Sequence, residues 1–182
     1  MISTKGLNFK YNEQASFSFP DISLGKDENL LIIGSSGIGK TTLLHLLAGL
    51  LESNSGSINL YGQDISKLTQ HQIDKFRGQN IGIVFQKPHF VNSLTVKENL
   101  QLAQYLGNKK DQNRIIDILS SLDILDKENK KPKKLSQGEK QRASIAMAIV
   151  NSPKLILADE PTSSLDDENC DRVIKLLKKQ AS

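Results

Sequence analysis

Two stretches of this chain carry the residue types needed to grip and cleave a phosphate chain. The first is Gly34-Ser35-Ser36-Gly37-Ile38-Gly39-Lys40-Thr41, which matches the phosphate-loop pattern G-x-x-x-x-G-K-[ST]. Its glycines let the backbone wrap without Cβ clashes, so that successive N–H groups converge on phosphate oxygens, and the helix that follows adds its positive end. Lys40 is then placed to reach the β- and γ-phosphates, and the Thr41 hydroxyl to ligate Mg²⁺. Gly34 through Thr42 are the candidate nucleotide-binding residues. A glycine-rich turn can be only a turn. Here the Lys-Thr pair stands at the required positions between an apolar run and a helical pattern, which favours the phosphate loop.

The second stretch, Lys154-Leu-Ile-Leu-Ala-Asp159-Glu160, is an apolar strand ending in two acids. So apolar a strand is buried, and its carboxylates emerge at the carboxyl edge of the sheet, where open α/β folds bind ligands. Asp159 is placed to hold the Mg²⁺ shell, and Glu160 to orient and deprotonate an attacking water. Alone, the two acids read equally as caps or ion-pair partners; beside a phosphate loop the chemical reading is preferred. A third stretch, Leu135-Ser136-Gln137-Gly138-Glu139, opens the helical run KQRASIAMAIV. On its own it is a capping box, Ser136 and Glu139 starting a helix.

The elements that must position these residues follow from periodicity. Leu7 to Phe9 and Phe17 to Phe19 flank the turn-forming Asn12 to Gln14, which predicts an N-terminal antiparallel pair. Asn29 to Ile33 predicts a strand running into the phosphate loop, and TTLLHLLAGLL the helix leaving it. Ser57 to Leu60, Ile81 to Phe85 and Leu155 to Ala158 predict further strands, and their alternation with helices predicts a mainly parallel, helix-covered sheet. The helical spacing of Val96, Leu100, Ala103, Ile115, Ile118, Leu119 and Leu122 predicts an inserted helical lobe at about 87–150, its first helix started by a Thr95/Glu98 capping box. The expected fold is α/β: a phosphate-loop core with an antiparallel β lobe before it and a helical lobe within it, all in one domain over 1–182.

Composition narrows the class. Of 182 residues, 37% are hydrophobic and 24% charged, the balance of a globular protein. The longest strongly apolar run, Leu43 to Leu51, is broken by His45 and Gly49 and falls short of the ~18 apolar residues of a spanning helix. No basic patch and apolar stretch marks a secretory signal. The single cysteine, Cys170, excludes an internal disulfide. The net charge of +4 concentrates in Lys130, Lys131, Lys133 and Lys134. With no aromatic among them, these lysines read first as a solvated loop and second as an anionic-lipid or nucleic-acid contact.

The order of phosphate loop, Gln86 after a strand, LSQGE at Leu135, ADE ending at Glu160, and Ser164-Leu165-Asp166 closely resembles the nucleotide-binding domains of ABC ATPases, from about Leu7 to the end of the chain. The resemblance implies an ATP-hydrolysing subunit of a transporter, with ATP and Mg²⁺ as cofactors. It implies that Ser136, Gln137, Gly138 and Glu139 meet the γ-phosphate held by a second copy in a head-to-tail homodimer. It also implies that Gln86 touches Mg²⁺ and the attacking water, and that Ser164 to Asp166 link the two sites. Tyr11, in Phe9-Lys10-Tyr11, resembles the aromatic that stacks on adenine, and equally reads as a half-buried strand tyrosine. Gln137 and Glu139 depart from the family's LSGGQ, while Gly138 keeps its second glycine.

In the family, a histidine that contacts the γ-phosphate lies on a strand beyond the helix after Asp166. His45, His71 and His89 are all upstream, so the chain is expected to be truncated, the alternative being a short form with impaired hydrolysis. The other partner implied is an integral membrane permease, docking around Gln86 and Lys87 to Leu100. The location implied is cytoplasmic, peripheral on the cytoplasmic face of the membrane. No heptads or cysteines suggest the long insertions of DNA-repair relatives, and no nucleic-acid partner is expected. Phe76-Arg77, IGIVFQ and LADEPTSSLD look most like the lipoprotein-releasing, macrolide-export and cell-division branch. A non-transporting regulator of that branch is the other class left open.

Overall fold

The computed structural model describes residues 1–12, 15–162, 170–171 and 173–176; Ser164 to Asp166 lie outside them. The chain forms two compact units, Met1–Asp74 and Lys75–Ser182.

The first unit is built on an antiparallel sheet of β1 (Ile2–Asn12), β2 (Ala15–Ser18), β3 (Ser23–Leu24), β4 (Ser55–Leu60) and β5 (Gln63–Asp64). The expected N-terminal pair is present, with Phe9 opposite Phe17. A feature the sequence pattern hides is a change of parity within β1. Ile2 and Thr4 point inward at its start, Leu7 and Phe9 further on. Because strand side chains alternate with period two, such a switch needs an extra residue in one strand. The irregularity lies between Lys5 and Asn8, opposite β4. Gly6 there has φ 58. A Cβ on the facing Gly56, itself at φ 92, would sit 2.5 Å from the Gly6 carbonyl oxygen, so backbone contact leaves room only for hydrogen.

Asn29 to Ile33, expected to be a strand, joins no ladder among the described residues. Leu31 and Ile33 are 80% and 84% exposed. An apolar run states a tendency to be buried; it does not supply the neighbouring backbone that makes a strand, and that neighbour is a non-local property. Helix α1 (Lys40–Leu47) follows the phosphate loop as expected, burying Thr42, Leu43, Leu46 and Leu47. Helix α2 (Gln70–Asn80) buries no residue completely.

In the second unit β6 (Ile81–Val84) and β7 (Leu155–Ala158) pair in parallel, with Val84 opposite Ala158. Helices α3 (Val96–Leu106), α4 (Gln112–Ser121) and α5 (Gln137–Ile149) enclose one apolar cluster that includes Leu100, Ile115, Leu119, Ile145 and Ile149. Each of these side chains is fully enclosed, and burial of a Leu or Ile contributes roughly 1.5–3 kcal/mol. Both expected capping boxes form, Thr95 with Glu98 at α3 and Ser136 with Glu139 at α5. No helix among the described residues is long and apolar enough to cross a membrane.

Candidate functional site

The phosphate loop is shaped by glycine where no other residue fits. Gly37 and Gly39 have φ 82 and 103. Gly39 is also the residue from which α1 starts, and a Cβ there would lie 2.7 Å from Phe17 Cδ1. The loop is thus pressed against β2, with its exposed side left for a ligand. Lys40 folds across the loop and donates from Nζ to the carbonyls of Gly34 (2.8 Å) and Ser35 (2.9 Å). The first turn of α1 holds no acidic residue, so the positive end of the helix carries no built-in anion.

Tyr11 comes to the same place. Its hydroxyl lies 3.3 Å from Thr42 Oγ1, and its ring stands edge-on to Phe9 at 4.7 Å and to Phe17 at 6.2 Å. Two rings therefore fix its plane while 55% of the residue stays exposed. Tyr11 is thus a half-exposed tyrosine at the end of β1, held beside the first turn of α1.

In the second unit the carboxyl ends of β6 and β7 bring Gln86, Asp159 and Glu160 together. Asp159 N donates to Val84 O at 2.9 Å, carrying the parallel ladder past the last strand residue. Gln86 Nε2 donates to Glu160 Oε2 at 2.7 Å. Glu160 has φ 46, a left-handed conformation that is uncommon outside glycine and concentrates at functional positions.

Ser136 stands exposed at the start of α5. Its Oγ accepts from Glu139 N at 3.2 Å, and Glu139 Oε2 accepts from Ser136 N at 2.7 Å. The hydroxyl proton of Ser136 stays available to donate. Lys127, in no sequence motif, adds an ion pair to Glu139 at 3.4 Å. The Ser136 backbone N–H first, and the Lys127 hydrogen bond with it, hold the Glu139 carboxyl below its usual 4.5.

Because that value is lowered on folding, the interaction stabilises the fold fully above about 4.5 and is lost as pH falls through the folded value. Wild type is thus expected to lose stability to acid more steeply than Glu139→Gln, as read by denaturant unfolding between pH 6 and 3. Ser136→Ala removes the cap and is expected to lower stability by about 1 kcal/mol at neutral pH.

Beside Gln137 lies a groove of about 360 Å³ lined by Pro88, His89, Phe90, Lys133 and Lys140 among others. His89 is held edge-on to Phe85 at 4.9 Å. The four loop lysines are all exposed. The sequence reading missed Lys127, which no motif marks, and Asn99. Asn99 sits 1% exposed on α3 and binds Val91 N and the carbonyls of Val91, Leu94 and Thr95, fixing the segment that follows Gln86. Its signal in the sequence was an asparagine beside the apolar stripe of α3.

These features define an α/β nucleotide-binding protein of the phosphate-loop class. The sequence model of the family described as "ABC transporter" matches residues 19–163. Solved structures agree. The dimeric structure of MJ0796, a bacterial ABC transporter cassette, is 29% identical, superposes with TM-score 0.92, and is matched by all of this chain over 83% of its own length. The dimeric post-hydrolysis state of the same cassette, bound to ADP and Pi, gives 28% identity and 0.93 with the same coverage. A structure of an ATP binding subunit of an ABC transporter, 23% identical, matches 99% of this chain and 74% of that one at 0.87, which supports the fold alone. The chain belongs to the ABC transporter family.

Proposed function

We propose that this chain hydrolyses ATP in sites shared by two copies arranged head to tail, and that hydrolysis drives a membrane permease docked on the second unit. The observation that carries the reading is the Gln86 to Glu160 hydrogen bond at the paired carboxyl ends of β6 and β7. It unites an amide and a carboxylate at the edge where this fold class does chemistry.

Tyr11 stacks on adenine. The N–H groups of Gly34 to Thr42 and the Lys40 ammonium hold the phosphates, Lys40 leaving the Gly34 and Ser35 carbonyls to do so. Glu160 accepts a proton from the water that attacks the γ-phosphate in line, and Gln86 orients that water and Glu160 together. Ser136, Gln137, Gly138 and Glu139 of the second copy close over the γ-phosphate, through the Ser136 hydroxyl and the positive end of α5.

The donor chemistry fits Mg²⁺. Thr41, Asp159 and the Gln86 Oε1, whose partner nitrogen is committed to Glu160, are hard oxygen donors. No cluster of three or more His, Cys, Asp and Glu side chains occurs among the described residues, and Mg²⁺ sites typically use one or two carboxylates completed by phosphate and water. Thr41, Asp159 and Gln86 would hold the ion, which would supply charge neutralisation to the phosphates. Phosphate release from saturating ATP is expected to stop on addition of excess EDTA and to return with added Mg²⁺; hydrolysis indifferent to EDTA removes the metal from the account.

The groove lined by Pro88, His89, Phe90, Lys133 and Lys140 follows directly from Gln86 and supports docking of the permease there. Such docking places the chain on the cytoplasmic face of the membrane.

A further inference from the structure

Gln141 is a buried amide with no part in the chemistry above. It lies in the second turn of α5, on the stripe formed with Ser144, Ile145 and Ala148, and is 1% exposed. Its Nε2 donates to the carbonyl of Pro161 at 3.0 Å. Its Oε1 is buried and has no hydrogen-bond partner among the described residues. A carbonyl can only accept, so binding Pro161 fixes the amide with its oxygen buried and without a partner among the described residues. An apolar side chain of the same size avoids that cost. What this glutamine has over an apolar side chain of its size is the hydrogen bond to Pro161.

The task is visible in what Pro161 adjoins. Glu160 is at φ 46, and it precedes a proline, a place where extended backbone is favoured. Such a conformation persists only where neighbouring contacts hold it. Gln86 grips the Glu160 side chain at 2.7 Å. Gln141 grips the next carbonyl along the chain, from the helix that begins at Ser136.

We infer that Gln141 is a positioning residue for Glu160: its amide clamps the Pro161 carbonyl and thereby fixes the Glu160 carboxylate relative to the Ser136 end of α5. The inference rests on the reading that Glu160 handles the attacking water. It adds a physical link, since this hydrogen bond ties α5 directly to the residue that follows Glu160.

Gln141→Met keeps length and volume and removes the donor; Gln141→Leu removes it with a different shape. Steady-state hydrolysis by the full chain at saturating Mg²⁺, with melting temperature and nucleotide affinity measured alongside, tests the link. Both variants are expected to lose about 10- to 100-fold in kcat, the cost of a misplaced catalytic group. KM for ATP is expected to stay within about twofold, and neither variant to add a further loss to Glu160→Gln in the double variant. Unchanged kcat overturns the inference while leaving Glu160 its role. So does a structural signature: lower melting temperature, weaker nucleotide binding and an equal fractional loss in the Glu160→Gln background. If the wild-type chain releases no phosphate from ATP, the role of Glu160 fails first, and the inference with it.

Discussion

A chain carrying Lys40→Ala is expected to bind ATP at least about 100-fold more weakly than wild type. The ammonium is placed to make charge-assisted hydrogen bonds to two phosphates, each worth roughly 1.5–3 kcal/mol, and every 1.4 kcal/mol is tenfold in affinity. The effect is separable from folding. Among the described residues Lys40 donates to the carbonyls of Gly34 and Ser35 on an exposed loop, and the glycine conformations and the packing of Gly39 on Phe17 do not depend on it. Titration calorimetry with ATP and EDTA reads the loss, and the melting temperature without nucleotide should move little. Undiminished binding would remove the phosphate-loop assignment.

Glu160→Gln is expected to act on the other half of the reaction. The substitution preserves size and keeps an oxygen able to accept from Gln86 Nε2, so the 2.7 Å contact survives. What disappears is the base that takes the water's proton, a contribution of about 10²- to 10⁴-fold in rate. Since ATP contacts are untouched, affinity should hold or rise, and the nucleotide-loaded state should accumulate. A variant that turns over as fast as wild type would move the base elsewhere.

What could be read in advance was whatever is fixed by residues close in sequence. The patterns at Gly34 to Thr41 and Asp159-Glu160 are recognisable because the phosphate and metal contacts proposed for them need fixed spacings. Thr95 and Ser136 declare their helices because a capping box spans one turn. The hairpin of β1 and β2 was legible for the same reason.

Non-local facts were not legible. The parity switch in β1 depends on how Gly6 meets Gly56 across the ladder, and the state of Asn29 to Ile33 depends on backbone far away in the chain. Lys127 reaches Glu139 across a turn whose sequence carries no motif. The edge-on contacts that set the Tyr11 ring need Phe17 on the next strand. Gln141 left one faint trace, a glutamine on an otherwise apolar helical stripe. Ser164 to Asp166, expected to link the two sites, lie outside the described residues, and their role stays a proposal.

Sedimentation of Glu160→Gln at saturating ATP and Mg²⁺ tests the central claim most directly, because hydrolysis is slowed and a shared site is completed only when two chains join. The account predicts a species of two chains that reverts to one when nucleotide is removed, and that fails to form when Lys40→Ala is added. A single chain with ATP bound, under conditions where calorimetry shows the site full, would contradict it.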